Sequence, residues 1–385
     1  MKKLRIGVIY GGRSSEHEVS LASAASVIAN LDRGRYEPVP IRIERDGRWV
    51  IADRPPASMV AAEVIGRARQ EPARAARTGR EAYLVPHPGE ETLLTVERMA
   101  GEGGTRENAY VAGLRLDLIF PVLHGPYGED GTVQGLLELA NVPYAGSGVL
   151  ASAVGMDKAI MKICFAARGL PQPRHLVVTR AEWERAPAAV ASRVDEVLGY
   201  PVFVKPANLG SSVGISKARH PGALAPAVSL AADYDVKVVI EAAVPAAREI
   251  ECSVLGNDRP EVSVPGEIVP SREFYDYEAK YLEESKVIVP APLDERQTSE
   301  ARRLAVEAFR AVDAAGFARV DLLMAGETGE FFVSEINTIP GFTTISMFPK
   351  LWEASGLGFA ALLDRVIELA FERHALKQSL RTSRP

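Results

Sequence analysis

Two short apolar runs near the C-terminal end constrain this chain more than any other stretch. Asp321-Leu322-Leu323-Met324 and Phe331-Phe332-Val333-Ser334-Glu335-Ile336 are each of strand length, and Ala325-Gly326-Glu327-Thr328-Gly329-Glu330 between them reads as a turn. Antiparallel pairing would set Asp321 and Glu335 side by side on one face, where like charge is costly unless a cation sits between them. Arg319 stands just before the first run, and Asn337 and the turn residue Gly341 follow the second. Mg²⁺ takes oxygen ligands, commonly one or two carboxylates plus the oxygens of a phosphate substrate, so two acids and an amide beside an arginine suit nucleotide chemistry. An isolated pair of acids would read instead as two solvated strand residues. The amide and the arginine are what tilt the reading.

A chain of 385 residues has room for two or three domains, each with a sizeable core. The formal charge of −5 carries no global footprint for nucleic acid or an anionic membrane, so a small-molecule partner is expected. Cys164 and Cys252 stand far apart, without a thiol or histidine at ligand spacing, which supports neither a disulfide framework nor a zinc site. No run approaches the roughly 20 apolar residues of a membrane helix, and the N-terminal run Leu4–Tyr10 is too short for a secretory core. These features predict a cytoplasmic protein that meets neither membrane nor nucleic acid.

Along the chain, Leu4–Tyr10 reads as a buried strand, followed by a glycine-containing turn and a helix over Val19–Leu31. Ser15 and Glu18 have capping-box spacing, which gives Glu18 a structural role. Strands at Glu37–Ile43 and Leu116–Pro121 extend a parallel, doubly wound α/β unit over residues 1–148. Within it, residues 52–112 read as an irregular surface insertion with some helix. Pro143–Gly148 reads as a linker. A smaller α+β region, 149–244, has a helix from Val149 past Cys164, a helix over Ala181–Leu198, and strands near Val177, Val202–Lys205 and Val238–Glu241. The last region, 245–385, has strands at Ile250–Leu255, Glu261–Ile268, Ala318–Met324 and Phe331–Ile336, with helices at 299–315 and about 358–373.

Within the central region, Lys205 ends an apolar strand and leads into Gly210-Ser211-Ser212-Val213-Gly214. Backbone N–H groups of such a turn can approach phosphate oxygens, though the spacing is not that of a P-loop and a plain Gly-Ser hairpin turn is the competing reading. Lys205 on the inner side of a strand calls for an anion. Glu241 ends another strand, and the connector Ala242-Ala243-Val244 could meet an adenine edge or be an ordinary link between domains. Glu249 could meet a ribose hydroxyl or be a surface acid. Phe274–Tyr281 reads either as an exposed tyrosine-rich loop or as a lid that excludes water. His124, in His124-Gly125-Pro126-Tyr127-Gly128-Glu129-Asp130-Gly131, follows the carboxyl end of a parallel strand, where open α/β sheets bind ligands.

Taken together these segments resemble the D-alanine–D-alanine ligases of the ATP-grasp superfamily over nearly the whole chain. Gly11–Ser20 resembles the family's first signature and His124–Gly131 its second. Met156-Asp157-Lys158, the Lys205–Gly214 loop, Tyr275–Tyr281, and Arg319–Asp321 with Glu335–Gly341 follow in the family's order. The resemblance implies a pre-ATP-grasp domain followed by a two-part ATP-grasp fold, with a lid at about 271–290. It also implies ATP-dependent synthesis of D-alanyl-D-alanine for peptidoglycan precursors through a D-alanyl phosphate. The partners are then D-alanine and ATP, in a cytoplasmic homodimer. A related ligase making D-Ala-D-lactate or D-Ala-D-serine is the nearest alternative, and a non-catalytic nucleotide-binding regulator a remoter one.

By the same resemblance, Lys158 and Lys205 would contact ATP phosphates with the Gly210–Val213 loop, residues Glu241 to Val244 the adenine, and Glu249 the ribose. Asp321, Glu335 and Asn337 would hold two Mg²⁺ ions, or Mn²⁺ in their place, with Glu335 shared. Glu16 would bind the ammonium of the first D-alanine and join Ser211 and Tyr281 in a set that anchors the lid. His124 would lie near the first substrate, and Lys280 and Ser346 would meet phosphate or the second substrate's carboxylate. Arg319 and the Gly341 N–H would stabilise the oxyanion. Tyr281 favours an amine over a hydroxy acid as second substrate. Ala242-Ala243, Ala207-Asn208-Leu209 and the count between Glu241 and Glu249 depart from the family's pattern.

Overall fold

The computed structural model describes residues 2–56, 58–70, 80–89, 91–99, 108–270 and 286–381. In the N-terminal part, β1 (Leu4–Gly11), α1 (His17–Asn30), β2 (Tyr36–Ile43), β3 (Trp49–Ile51), α2 (Ala61–Gln70), β4 (Arg80–Leu84), β5 (Leu93–Met99), β6 (Asn108–Leu114), β7 (Leu118–Val122) and α3 (Thr132–Leu139) follow in order. They form one seven-stranded sheet, β6-β5-β4-β3-β2-β1-β7. β1 lies parallel to both β2 and β7, as the buried apolar runs predict. From β2 to β6 every pairing is antiparallel. The 52–112 segment is therefore not an irregular surface insertion: it supplies α2 and three strands that continue the sheet. The strands are short and set in an Ala-, Arg- and Glu-rich segment that masks them, and they continue the sheet from the edge of β3.

The start of α1 also differs from the sequence expectation. The N-cap is Glu16, with no side-chain cap bond, so the Ser15/Glu18 capping box is not made. Glu18 is structural by another route, an ion pair with Arg45.

The central part runs α4 (Val149–Met156), α5 (Lys158–Ala167), β8 (His175–Thr179), α6 (Arg180–Arg185), α7 (Pro187–Val197), β9 (Val202–Pro206), β10 (Ser216–Ala218), α8 (Leu224–Tyr234) and β11 (Lys237–Ala242). Two helices expected to be continuous are broken. Asp157 has extended backbone and caps α5 by accepting from the Ala159 and Ile160 amides. Pro187 sits at the N-terminal end of α7, where its missing N–H costs nothing. The sheet, β10-β9-β11-β8, buries Val202, Val204, Val238 and Ile240 against α7 and α8.

The C-terminal part holds β12 (Arg248–Gly256), β13 (Glu261–Val262), β14 (Gly266–Val269), β15 (Lys286–Ile288), α9 (Glu295–Ala311), β16 (Gly316–Met324), β17 (Phe331–Asn337), α10 (Met347–Ala354) and α11 (Phe359–Gln378). α9 starts earlier than the sequence pattern suggests because Asp294 and Gln297 form a capping box. It lays Ala301, Leu304, Ala305, Ala308 and Phe309, a helical stripe, on one face of the β12-β16-β17 sheet. A separate core joins the ends of the chain. Phe120 of β7 packs with Phe317, Phe342 and Phe348, together with Val366 and Leu369 of α11. Each such side chain buried contributes roughly 1.5–3 kcal/mol, enough together to set the loop after β17 firmly against the N-terminal sheet. Among the described residues no helix is long and apolar enough to cross a membrane.

Candidate active site

The β16–β17 hairpin forms as its sequence predicts, with Asp321 directly opposite Glu335 and Arg319 opposite Asn337. How Glu335 comes to face the cleft is a matter of one extra residue. On β16, Ala318, Val320, Leu322 and Met324 point into the core under α9, leaving Arg319, Asp321 and Leu323 on the other face. On β17, Phe331 and Val333 point into that core, so strict alternation would bury Glu335 and Asn337 there as well. A bulge between Asp321 and Leu322 intervenes: Leu322 pairs with Val333 and Asp321 with Glu335, leaving Ser334 as the additional residue. The alternation flips, Ile336 takes the core position, and both polar side chains turn to the cleft.

Arg319 is held on this face by Asp321, whose two oxygens accept from Nε and Nη2 at 2.7 and 2.6 Å. Glu251 of β12 approaches the same Nε at 3.2 Å. The Asn337 Oδ1 accepts from the Ile339 N–H at 3.0 Å, shaping the turn toward Gly341. At Gly341 a Cβ would lie 2.7 Å from the Ser346 Oγ, so any larger residue here would displace the Ser346 side chain. Ser346 caps this loop by accepting from the Thr343 amide at 3.0 Å.

Facing these groups, Lys158 at the start of α5 donates to the Leu209 carbonyl at 2.9 Å and lies 3.4 Å from Glu335, so it bridges the Gly/Ser loop and the carboxylate wall. Lys205, on β9, finds the anion its burial calls for in Glu241 of β11, at 2.5 Å; Lys162 of α5 meets the other Glu241 oxygen at 2.6 Å. Burial alone would raise the Glu241 carboxyl, but Lys205 and Lys162 outweigh it and hold it far below the usual carboxylate range. Burial would likewise lower Lys205, and Glu241 and Glu335 reverse that, so the lysine stays charged. The Glu241 side chain is thus occupied with two lysines. The amides of Ala242 and Ala243 donate to the Arg174 and Pro201 carbonyls. β9 and β10 make the hairpin of the competing reading, with Ser211 and Ser212 in left-handed conformation at its turn. Glu249 lies opposite Leu323, on the cleft face of β12.

The N-terminal part closes the third side. Ser211 Oγ donates to Glu16, a bond across 195 residues, and a Cβ on Gly210 would sit 2.9 Å from Glu16 Oε2. The Glu129 carboxylate accepts from the Gly125 N–H at 2.8 Å beside them. His124 ties this wall to the loop after β17: its Nδ1–H donates to the Ile339 carbonyl at 3.0 Å, while Ser23, 3.4 Å from Nε2, accepts from the Phe342 N–H. One cleft is consequently walled by Glu16 and Glu129, by Lys158 and Gly210–Ser211, and by Arg319, Glu335 and Asn337. A cavity of about 950 Å³ between Glu138, Asn257 and Arg373 lies elsewhere and holds none of these groups. Lys280 and Tyr281, with the Tyr275–Tyr281 run, fall outside the described residues.

Among the described residues no three His, Cys, Asp or Glu side chains gather closely enough to cage a metal unaided. Asp321 and Glu335, hard oxygen donors on adjacent strands, fit an ion that brings further ligands with it, as a metal–nucleotide complex does. Sequence reasoning missed Glu251, Glu129 and Lys162. Glu251 alternates with the core residues Ile250, Cys252 and Val254, and Lys162 lies one helical turn beyond Lys158 on a buried face. Both periodicities were readable.

An open α/β domain and two smaller sheets thus surround one cleft in which a lysine stands opposite a carboxylate, the layout of the ATP-grasp ligases that the following comparisons identify. Family models for the N-terminus and the C-terminus of D-ala D-ala ligase match residues 5–147 and 164–368. The D-alanine–D-alanine ligase of Heliobacterium modesticaldum is 48% identical, over 100% of this chain and 99% of its own length. That of Geobacillus thermodenitrificans is 45% identical over 98% of each. In structure, the D-alanine–D-alanine ligase of Coxiella burnetii superposes with a TM-score of 0.79 at 34% identity, covering 98% of this chain and 97% of that one. The VanG D-Ala:D-Ser ligase of Enterococcus faecalis superposes at 0.76 and 33% identity, covering 96% and 100%. The chain belongs to the D-alanine–D-alanine ligase family.

Proposed function

We propose that this chain joins two D-alanines into D-alanyl-D-alanine, a peptidoglycan precursor, with ATP converted to ADP and phosphate. The observation that supports this reading best is the convergence of Glu16, Lys158, Ser211, Arg319 and Glu335, from the N-terminal, central and C-terminal parts of the chain, on one cleft. A carboxylate is a poor electrophile, so its oxygen first attacks the γ-phosphorus, the bond to the β-phosphate oxygen breaks, and ADP departs. The neutral amine of the second D-alanine then attacks the acyl carbon. Phosphate leaves with its oxygen, and the amine's proton goes to water or phosphate.

In this reading Glu16, steadied by Ser211, takes the ammonium of the first D-alanine. Lys158, Lys205 and the Gly210–Val213 loop, Ser212 included, take phosphates. The Ala242–Val244 connector offers backbone groups to adenine, Glu241 serves by holding Lys205, and Glu249 meets the ribose. Asp321, Glu335 and Asn337 would hold two Mg²⁺ ions, or Mn²⁺, which supply charge neutralisation at the β- and γ-phosphates. Arg319 and the Gly341 N–H stabilise the oxyanion, because donors fixed before the reaction cost nothing to reorganise during it. Ser346 sets the Gly341 loop and, with Lys280, would meet phosphate or the second substrate's carboxylate, while Tyr281 would join Glu16 and Ser211. His124 fixes that loop against the first substrate's side. The three domains span 1–148, 149–244 and 245–385, in a cytoplasmic homodimer.

Coupled-enzyme measurement of ADP release with D-alanine, D-lactate and D-serine as second substrates tests the reading, with the dipeptide identified by mass. D-alanine alone is expected to support turnover. No D-alanine-dependent ADP release would overturn it, and a preference for D-serine or D-lactate would move the chain to the neighbouring specificity.

A further inference from the structure

Glu251 has no part in the roles above, yet it is 5% exposed and lies against Arg319, which lines the cleft. Its neighbours on β12, Ile250, Cys252 and Val254, are core residues, so alternation puts Glu251 on the opposite side of the sheet. Register places it directly across from Asp321, which in turn is across from Glu335. Three adjacent strands therefore present a lateral row of carboxylates, Glu251, Asp321 and Glu335, and Arg319 lies one step along it. Such a row repels itself and is costly to bury unless cations are distributed along it.

At present one cation serves two of the three acids. Both Asp321 oxygens accept from the guanidinium, at 2.7 and 2.6 Å, while Glu251 reaches the Nε edge at 3.2 Å. A metal ion on Asp321 competes with Arg319 for the same oxygens. Were Asp321 its sole counter-charge, the buried guanidinium would either hold the acid against the metal or be left uncompensated and displaced. We propose that Glu251 is a positioning residue for Arg319: it keeps the Nε edge in place and supplies the counter-charge when Asp321 turns to a metal. This rests on the roles given above to Arg319 and Asp321. Glu251 itself touches neither substrate nor metal.

The test uses the full-length enzyme and Glu251→Gln, which keeps the shape and removes the charge. kcat is expected to fall about tenfold or more with KM for ATP within about twofold, because a displaced guanidinium is felt at the transition state rather than in nucleotide binding. Mn²⁺ affinity in the presence of ADP, read from the free Mn²⁺ signal by electron paramagnetic resonance, is expected to weaken about tenfold. In an Arg319→Ala background the same Glu251→Gln change is expected to leave Mn²⁺ affinity within about twofold, since the residue through which Glu251 acts is gone. A full loss of Mn²⁺ affinity in that background would mean direct action on the metal and overturn the proposal. So would parent kcat in Glu251→Gln when Arg319→Ala is inactive. Parent kcat in Arg319→Ala would instead remove the reading of the site on which the proposal stands. Should Glu251→Gln not fold, Glu251→Asp carries the test: it withdraws the charge by one methylene, and a reduced kcat at unchanged KM supports the role while parent kcat overturns it.

Discussion

Replacing Glu241 by glutamine removes the one anion shared by Lys162 and Lys205. Lys205 keeps 13% of its side-chain surface exposed at the cleft and can recover water, but the Lys162 side chain is 0% exposed and cannot. One broken buried pair, not two, should therefore be counted, for a destabilisation of about 3–5 kcal/mol. The variant also acquires a pH dependence that the parent lacks. A lysine buried without its anion has a folded-state pKa below its unfolded value of about 10.4, so the unfolded chain binds more protons and stability rises with pH up to that value, by as much as about 1.4 kcal/mol per unit. In the parent the sign is the same but the window lies in acid. Glu241 is depressed below the ordinary 4.5, so its contribution is complete above that pH and is lost as the pH falls through the lower folded-state value. Hydrogen exchange of the β9 and β11 amides, with urea unfolding between pH 6.5 and 10, measures the variant's loss of stability and its pH slope. Adding Lys162→Met to the variant should restore about 2 kcal/mol or more, since the unpaired cation is then gone. A variant within about 1 kcal/mol of the parent, with a flat profile over that pH range, would show that the buried triad carries no such energy.

Glu335→Gln should abolish ligation by weakening both metal positions and loosening the approach of Lys158; near-normal turnover at ordinary Mg²⁺ concentrations would refute the shared-ligand role. Ser211→Ala removes the bond to Glu16 across the cleft and should raise KM for D-alanine by about tenfold, equivalent to roughly 1.4 kcal/mol, a range typical of hydrogen bonds to charged groups. An unchanged KM would detach Ser211 from substrate binding. Asp157→Ala removes the α5 cap and the partner of Lys237, and denaturant unfolding should register a loss of about 1–2 kcal/mol. Gly341→Ala forces a Cβ toward Ser346 and should lower kcat, with the added change Ser346→Gly restoring part of it; equal kcat with and without Ser346 would place the strain elsewhere.

The sequence by itself determined the local rules. Apolar spacing settled the α9 stripe and the parallel β1 and β7 runs, and the hairpin around Ala325–Glu330 put Asp321 opposite Glu335, because each of these depends on neighbours within a few residues. It also showed that Lys205 needed an anion, though not which one. Tertiary structure decided what lies across a sheet or a cleft. Glu241 reaches Lys205 through β9–β11 pairing, Glu251 reaches Arg319 across 68 positions through β12–β16 register, and Ser211 meets Glu16 only because separate domains converge. The strands between 80 and 114 join the N-terminal sheet through β3–β4 pairing, a placement that their own residues do not announce. Ser334 is the sharpest case: one residue beyond the local period turns Glu335 from the core to the cleft, and what fixes that turn is the register of the partner strand.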